Sequence, residues 1–135
     1  MKIQIFFIII TALILNQVSA TLYNYDEIGA VSDDNSLDIL INNQQILNTT
    51  INQLKTGDSL IIPNRTYHLL GGIQGSDLYN ISFIIDGTLS FDNNRDTYPV
   101  DSNGKVLECI MLTNLKDVII TSSVSSSNGG KYIYY

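Results

Sequence analysis

The stretch Ser59-Leu-Ile-Ile-Pro-Asn-Arg-Thr-Tyr-His-Leu-Leu-Gly-Gly-Ile73 predicts two short strands that are separated by a turn. Pro63 has no backbone N–H to donate, and Gly71 and Gly72 tolerate positive φ, so these residues mark strand ends. The same alternation of a short apolar run and a turn continues to about residue 121. The pattern predicts strands over 59–62, 66–70, 81–85, 88–91, 106–112 and 117–121.

Two of these strands are apolar at consecutive positions, as in Ile81-Ser-Phe-Ile-Ile85 and Val118-Ile-Ile120. Such runs are typical of parallel sheets with limited exposure. Leu78-Tyr-Asn-Ile81 and Leu115-Lys-Asp-Val118 share the pattern Leu-x-Asx-β-branched, and each leads into a strand. In a stacked coil such Asx residues can close the turn by bonding nearby backbone, so the repeated pattern supports a chain that winds through successive coils.

A helix is predicted over about residues 36–55, upstream of the strands. Apolar residues fall along one face of this segment, at Leu40, Ile46, Leu47, Ile51 and Leu54. Asn35 or Ser36 is expected to cap it, and a short strand is expected over 21–25. One helix followed only by strands argues against alternating βαβ units, and a helix in this position would cover the first coil of a stacked sheet.

Residues 1–20 have the features of a signal peptide. Lys2 precedes an apolar run from Ile3 to Leu15, and Val18-Ser-Ala20 supplies small residues for cleavage. The alternative is an uncleaved membrane anchor, but the run is shorter than the roughly 20 residues that span a bilayer. We therefore expect a secreted mature chain over 21–135, with no stable membrane span after cleavage.

The charge balance is acidic. The chain has 7 Lys and Arg against 13 Asp and Glu, and loss of Lys2 with the signal peptide makes it more acidic still. This argues against nucleic acid and anionic membranes as partners, because phosphate binding needs clusters of Lys and Arg.

Cys109 is the single cysteine, so no internal disulfide can form. Its apolar neighbours predict a buried thiol; the alternative is a partner on another segment. Asn48-Thr-Thr, Asn64-Arg-Thr and Asn80-Ile-Ser are glycosylation sequons, and a secreted chain makes Asn48, Asn64 and Asn80 candidate glycan sites.

Three segments resemble the pectin-lyase-like superfamily. They are the entry segment Asn24-Tyr-Asp-Glu-Ile-Gly-Ala-Val-Ser-Asp-Asp34, the strand-turn-strand Leu60–Leu70, and the block Asp86-Gly-Thr-Leu-Ser-Phe-Asp92. The last is more similar to family 28 glycoside hydrolases, the polygalacturonases, than to pectate lyases. The resemblance spans about residues 22–122. It implies a mainly β fold, the N-terminal coils of a right-handed parallel β-helix over about 59–135, with an N-terminal capping helix.

Polygalacturonases place catalysis on later coils, with an Asn-Thr-Asp run, an Asp-Asp pair, a Gly-His-Gly and an Arg-x-Lys. This chain departs from that pattern, because Asn48-Thr49 is followed by Thr50 and the single histidine, His68, lies between Tyr67 and Leu69. We therefore predict no catalytic residue, no cofactor and no metal ligand. A lyase would call for a calcium site of clustered carboxylates, which the sequence does not supply.

The resemblance implies two functions. The first is an N-terminal fragment or truncated form of a secreted polygalacturonase-like hydrolase that acts on pectin-type polysaccharide and is inactive alone. The second is a non-catalytic secreted β-helix protein that binds glycans or forms a surface. In either case we expect the last coil, near 118–135, to expose an apolar edge and the mature chain to aggregate in isolation.

Several residues invite a chemical role and have a structural alternative. Asp33-Asp34 is an adjacent carboxylate pair that turn formation before the helix also explains, and His68 is a candidate general base or a strand residue. Asp92, Arg95 and Asp96 lie in a polar loop, where they are candidate glycan contacts or solvated residues. Lys131-Tyr-Ile-Tyr-Tyr135 is a candidate aromatic platform or a further strand, reached through a flexible connector over 122–130.

Overall fold

The computed structural model describes residues 19–124 and 131–133, and of the last three only the backbone. In this part the chain is mainly β with one helix. The elements are β1 (Leu22–Asn24), α1 (Leu37–Gln53), β2 (Ser59–Ile62), β3 (Thr66–Leu69), β4 (Ile73–Ser76), β5 (Ser82–Ile85), β6 (Thr88–Phe91), β7 (Ile110–Thr113), β8 (Ile119–Thr121) and β9 (Lys131–Ile133). Residues 1–18 of the predicted signal peptide lie outside the described residues.

The strands form three short sheets in which every pairing is parallel. Sheet A has the order β1-β2-β5-β8, sheet B the order β3-β6-β9, and sheet C the order β4-β7. From β2 to β9 the chain visits the sheets in the repeating order A, B, C. Each strand therefore pairs with the strand that follows it by one round, as Leu60 pairs with Phe83 and Phe83 with Ile120.

The corner between sheets C and A is built from Asx residues. Asp77, Asn80, Asn114 and Asp117 all have left-handed backbones, with φ of 57°, 53°, 52° and 54°. Asn and Asp enter this region more readily than other L residues. The two corners stack: Tyr79 and Lys116 form a parallel bridge, and Asn114 Nδ2 donates to Asp77 Oδ1 at 3.1 Å. The two Leu-x-Asx segments of the sequence thus form the same kind of corner in two successive rounds of strands.

Helix α1 packs on β3 and β4, the strands at one edge of sheets B and C. Its asparagines bond the free backbone groups of these edges. Asn43 Nδ2 donates to the carbonyl of His68 at 2.9 Å, and Asn52 Nδ2 donates to the carbonyl of Gln74 at 2.8 Å. Asn48 Oδ1 accepts from the Gln74 N–H at 2.9 Å. The helix side chains therefore take the place of a neighbouring strand.

Asn43 is fully buried and also binds the entry segment between β1 and α1. Its side-chain amide accepts from the Val31 N–H at 2.9 Å and donates to the Val31 carbonyl at 2.8 Å, while its backbone carbonyl accepts from Tyr25 Oη at 2.6 Å. The Tyr25 ring packs edge-on against Tyr67 at 4.9 Å between centroids. Burial, and then the proximity of Tyr67, raises the pKa of Tyr25, so the hydroxyl stays a donor.

The core lies between the sheets and under the helix. Its buried apolar residues alternate along β2, β3 and β5 with more exposed ones, and they are Tyr25, Ala30, Leu47, Ile51, Leu60, Ile62, Tyr67, Leu69, Ile73, Leu78, Ile81, Phe83, Ile85, Leu89 and Phe91. At the end of the stack formed by β7 and β8 the core is not covered by described residues. An apolar cavity of about 320 Å³ opens there. In the described part of the chain, the exposed side chains of Ile119 and Ile120 on β8 give this end an apolar edge.

The sequence-based elements need three corrections. The first concerns strand β4, which the sequence does not predict because Gly75 interrupts its apolar pattern. The structure needs a glycine at this position, since a Cβ would lie 2.5 Å from Ile51 Cγ2. The strand expected over 106–112 is Ile110–Thr113, because residues 99–107 form a hairpin-like loop with a Val100–Val106 antiparallel bridge.

The third correction concerns the helix cap. Ser36 occupies the N-cap position of α1, but its side chain makes no capping hydrogen bond. Asp34 Oδ1 instead accepts from the Ser36 N–H at 2.8 Å. This bond closes the turn two residues before the N-cap position and does not bond a backbone N–H of the helix itself. Helix α1 itself, Leu37–Gln53, lies within the predicted 36–55.

We predict that Asn43→Leu lowers the free energy of unfolding by about 3 kcal/mol, because the Val31 N–H and the carbonyls of Val31 and His68 lose the buried side chain that pairs with them. Urea unfolding followed by far-UV circular dichroism measures this. The matched control is Asn42→Ala, which removes only a 3.3 Å exposed bond to the Gly29 carbonyl and should cost less than about 0.5 kcal/mol. Equal losses in the two variants would contradict the role assigned to Asn43.

Candidate functional site

The polar loop after β6 borders a groove of about 530 Å³, which we call the loop groove. Its lining includes Asp92, Arg95, Tyr98 and Cys109. The Asp92 carboxylate is held by a hydrogen bond from Thr97 Oγ1 at 3.1 Å, whereas the exposed Arg95 forms no ion pair with any described residue. Asp96 is exposed and does not line the groove. Of the three candidate glycan contacts, the structure thus brings two together.

A smaller groove of about 220 Å³ adjoins the first through Phe91, Asp92 and Asn93. His68, on β3, lines this second groove. The fold therefore places His68 and Asp92 at one depression although they are distant in sequence. No hydrogen bond between these two side chains occurs in the described part of the chain, so an acid–base pair is not formed there.

The Asp33-Asp34 pair lies in the turn that leads to α1. Asp33 has φ of 59° and donates its backbone N–H to the Thr66 carbonyl at 2.8 Å. The backbone and side-chain hydrogen bonds with Ser36 lower the pKa of Asp34. Both residues are exposed and have contacts that shape the turn. The geometry matches the structural alternative for this pair.

Asp86, which the sequence did not single out as a site, is the carboxylate with the most hydrogen bonds among the described residues. It is buried at the end of β5 and accepts from Ser122 Oγ at 2.9 Å, from the Ser123 N–H at 2.6 Å and from Ser123 Oγ at 2.6 Å. These bonds, that of the Ser123 side chain first, lower its pKa below the ordinary 3.8. The carboxylate fastens the segment after β8 to the preceding round.

The residue after Asp86 is also fixed by its surroundings. A Cβ on Gly87 would overlap the backbone carbonyl oxygens of Pro63 and Arg65. Glycine is therefore required for this turn to stack on the one between β2 and β3. Asp86 and Gly87 therefore both have a structural purpose in this turn. Ser122 and Ser123 bond the Asp86 carboxylate, and we call these three residues the Asp86 clamp. The two serines lie in the segment 122–130, which was expected to be a flexible connector. Residues 125–130 of that segment are outside the described residues.

Cys109 is half-buried, where the sequence predicted a buried thiol. Its Sγ lies 3.1 Å from Tyr98 Oη at the loop groove. The phenol end of Tyr98 occupies the space that a side chain at position 71 would take, so Gly71 has a packing role. The thiol is free within the described chain.

The three sequons differ in their accessibility. Asn64 lies exposed in the turn between β2 and β3, and Asn80 lies exposed at the corner before β5. Asn48 is half-buried on α1, and its side-chain amide bonds the edge of β4. The aromatic platform proposed for 131–135 cannot be compared, because those side chains are outside the described residues; the backbone of Lys131–Ile133 is strand β9.

Two common features of ligand sites are absent from residues 19–124. These residues contain no cluster of His, Cys, Asp or Glu that could hold a metal ion, and no buried side-chain nitrogen or oxygen without a hydrogen-bond partner. Among them no helix has the length and apolar character needed to cross a membrane. Comparison with protein-family models, curated proteins and solved structures finds no match to this chain.

We predict that acid weakens the Asp86 clamp. Because the pKa of Asp86 is depressed in the folded state, its stabilisation is present above the ordinary pKa of 3.8 and is lost as the pH falls below that value. Asp86→Asn should cost about 2 kcal/mol at pH 7 and flatten the decline of stability below about pH 4. Urea unfolding at pH 7, 5, 4 and 3 measures both effects. Asp96→Asn is the control, since its exposed carboxylate accepts no hydrogen bond among described residues; a slope changed equally by both variants contradicts the clamp.

We predict that the folded chain, when it is expressed through a eukaryotic secretory pathway, carries glycans on Asn64 and Asn80 and none on Asn48, because a glycan at Asn48 would remove the amide from β4. Expression in a eukaryotic secretory host, followed by glycopeptide mass spectrometry of the monomeric fraction, gives site occupancy. Asn64→Gln and Asn80→Gln should each lower the glycan mass by one chain, and Asn48→Gln should not. Substantial occupancy of Asn48 in the folded fraction would contradict the edge contact.

Proposed function

We propose that this chain forms the N-terminal coils of a right-handed parallel β-helix in a secreted, polygalacturonase-like protein that acts on pectin-type polysaccharide. In this proposal the described residues are the scaffold and its end cap, and the hydrolytic groups lie elsewhere. The chain alone is inactive. The carboxylates of the hydrolase would protonate the leaving oxygen and activate water, as inverting glycosidases do.

The observation that carries the proposal is the sheet topology. Consecutive strands belong to different sheets and pair in parallel with the strand one round later, in register through all three sheets. A polypeptide that repeats this path stacks as a solenoid, and solenoids need a cap at the end. Helix α1 supplies that cap by bonding the β3 and β4 edges.

The electrostatics of the described residues support a scaffold role. Glycosidase chemistry uses two carboxyl groups whose environments separate their pKa values, one of them raised. Here Asp34, Asp86 and Asp101 have lowered pKa values, each through hydrogen bonds to the carboxylate, with Ser36, Ser123 and Lys105 as the first donors. Lowered pKa values suit turn and clamp carboxylates, which stay ionised, and not a general acid.

The alternative, a non-catalytic glycan-binding protein, is supported by the loop groove. It combines the Arg95 guanidinium, which forms no ion pair with a described residue, with the fixed carboxylate of Asp92 and the aromatic ring of Tyr98. Such polar and aromatic groups on a rigid scaffold bind sugars without chemistry. Both functions predict that this chain alone does not hydrolyse the polysaccharide, so a binding measurement is needed to separate them.

We predict that the purified mature chain releases no reducing ends from polygalacturonate, in the presence or absence of EDTA. Reducing-sugar assay over 24 hours measures this, with a fungal polygalacturonase preparation as positive control for the substrate. Release that is abolished by Asp92→Asn and unaffected by Asp96→Asn would show that the loop groove is catalytic, and it would overturn the scaffold assignment. Sequencing the transcript beyond the Tyr135 codon then tests for the Asn-Thr-Asp, Asp-Asp and Gly-His-Gly motifs.

Binding distinguishes the alternative. If the loop groove binds an acidic glycan, isothermal titration calorimetry with tetragalacturonate should show binding, and Arg95→Gln should lower the affinity at least tenfold. Arg65→Gln is the matched control, because Arg65 is also exposed but already pairs with Asp26 at 3.5 Å and lies outside the groove. Binding without hydrolysis would favour the glycan-binding protein, and neither binding nor hydrolysis would favour the scaffold.

A further inference from the structure

We infer that the Asp58 carboxylate binds the α-ammonium group that removal of the signal peptide creates on Thr21. The resulting ion pair fastens the start of β1 to the turn before β2, so processing of the chain stabilises the first round of strands. This inference rests on the secreted part of the proposed function, in which residues 1–20 are removed, and it is independent of the sugar substrate. We call the two groups the terminus site.

Asp58 is a buried carboxylate whose hydrogen-bond partners are neutral. The residue is 2% exposed. Its Oδ1 accepts from the Thr21 backbone N–H at 2.8 Å, and its Oδ2 accepts from the Lys55 backbone N–H at 2.8 Å. No Lys or Arg side chain of the described residues forms an ion pair with it. Burial of a carboxylate without a countercharge is costly, and a hydrogen bond between two ionised groups is stronger than one between a carboxylate and a neutral amide.

Backbone hydrogen bonds hold both partners in place. The Asp58 carbonyl accepts from the Ser82 N–H at 3.1 Å, which ties the turn to β5. The Thr21 carbonyl accepts from the Ser59 N–H at 2.9 Å, and β1 continues from there in parallel with β2. None of these bonds involves residues 1–20. The Thr21 nitrogen therefore stays beside the Asp58 carboxylate when those residues are removed.

Cleavage changes the charge on the Thr21 nitrogen. A signal peptidase, which is a hydrolase, adds water across the Ala20–Thr21 peptide bond. The C–N bond breaks, Ala20 keeps the new carboxylate, and the Thr21 nitrogen becomes an α-amine that is protonated at pH 7. One of its N–H groups keeps the bond to Asp58 Oδ1. The others are hydrated, because Ser19 and Ala20, which precede this nitrogen in the unprocessed chain, are exposed.

The position of the cleaved bond decides whether the terminus site is filled. A chain that starts at Ser19 has its α-ammonium two residues away, about 7 Å along an extended backbone, and keeps a neutral peptide N–H at Asp58. Only a chain that starts at Thr21 brings the charge to the carboxylate. The small residues that predict cleavage after Ala20 and the buried carboxylate at position 58 thus identify the same nitrogen by separate arguments.

The experiment compares two forms of the secreted chain 21–135 in its monomeric fraction. One has the free α-amine on Thr21, and the other has this amine acetylated by an N-terminal acetyltransferase. Acetylation restores a neutral N–H on the same nitrogen, so it removes the charge and leaves the hydrogen bond possible. We expect acetylation to raise the equilibrium constant for unfolding at least fivefold at pH 7, measured by urea unfolding with far-UV circular dichroism. N-terminal sequencing of the product from a eukaryotic secretory host should begin at Thr21.

Two variants test the partner. In Asp58→Asn, whose side chain is neutral, acetylation should change the unfolding constant less than twofold. Asp38→Asn is the matched control, because its exposed carboxylate lies in the first turn of α1, and the full effect of acetylation should remain. Should Asp58→Asn not fold, the chain that starts at Ser19 gives the same test. Its α-amine is distant from Asp58, so acetylation should again change the unfolding constant less than twofold.

Two results would overturn the inference alone. The first is an equal unfolding constant for the free and acetylated chains. The second is an effect of acetylation that is as large in Asp58→Asn, or in the chain that starts at Ser19, as in the chain that starts at Thr21. A secreted product that begins at another residue would overturn both this inference and the predicted signal peptide. The galacturonate assays do not depend on the α-amine, so failure of the terminus site and failure of the sugar proposal are distinguishable.

Discussion

The side-chain amide of Asn43 is the contact on which the arrangement of this chain depends. It lies fully buried where three parts of the chain meet: the entry segment, helix α1 and strand β3. A buried amide is stabilising only when its donors and acceptor are all paired, because an unpaired polar group in a low-dielectric interior is costly. The bonds to Val31 and His68 meet that condition. They orient the helix across the edges of two sheets, and the Asn48 and Asn52 contacts with Gln74 follow from that orientation.

The sequence predicted what depends on local pattern. Short apolar runs bounded by Pro63 and the glycines located β2, β3, β5 and β6, and the repeated Leu-x-Asx pattern identified a corner that the structure uses twice. It missed what depends on contacts between distant segments. Strand β4 contains Gly75 because Ile51 of the helix needs the space, and no local rule shows that requirement. Likewise, Ser122 and Ser123 appear as linker residues until Asp86 is placed beside them.

Few of the candidate site residues were predictable as a group. Asp92, Arg95 and Asp96 were grouped because they are close in sequence within one loop. In the structure Asp96 does not line the loop groove, whereas Tyr98 and Cys109 do. His68 reaches the neighbouring groove because β3 and β6 are adjacent in sheet B, a pairing that a single sequence does not specify. Asp86, the described carboxylate with the most hydrogen bonds, accepts from the backbone and side chains of the segment after β8. The polar side chains of the described residues thus mostly bond the protein's own backbone and hold the parallel strands in register.

Helix α1 has a consequence beyond the stability of the first layers. A stack of parallel strands with two free ends is a template for unlimited addition, which is the basis of cross-β fibrils. Here α1 occupies the edges of β3 and β4, and the edge that remains at that end, β1, has only three residues. Among the described residues, strand addition at this end is therefore restricted to the short edge of β1. The asparagine-rich helix blocks strand addition at the edges that it covers. It therefore makes the two ends of the stack different, which the repeating sheets alone would not do.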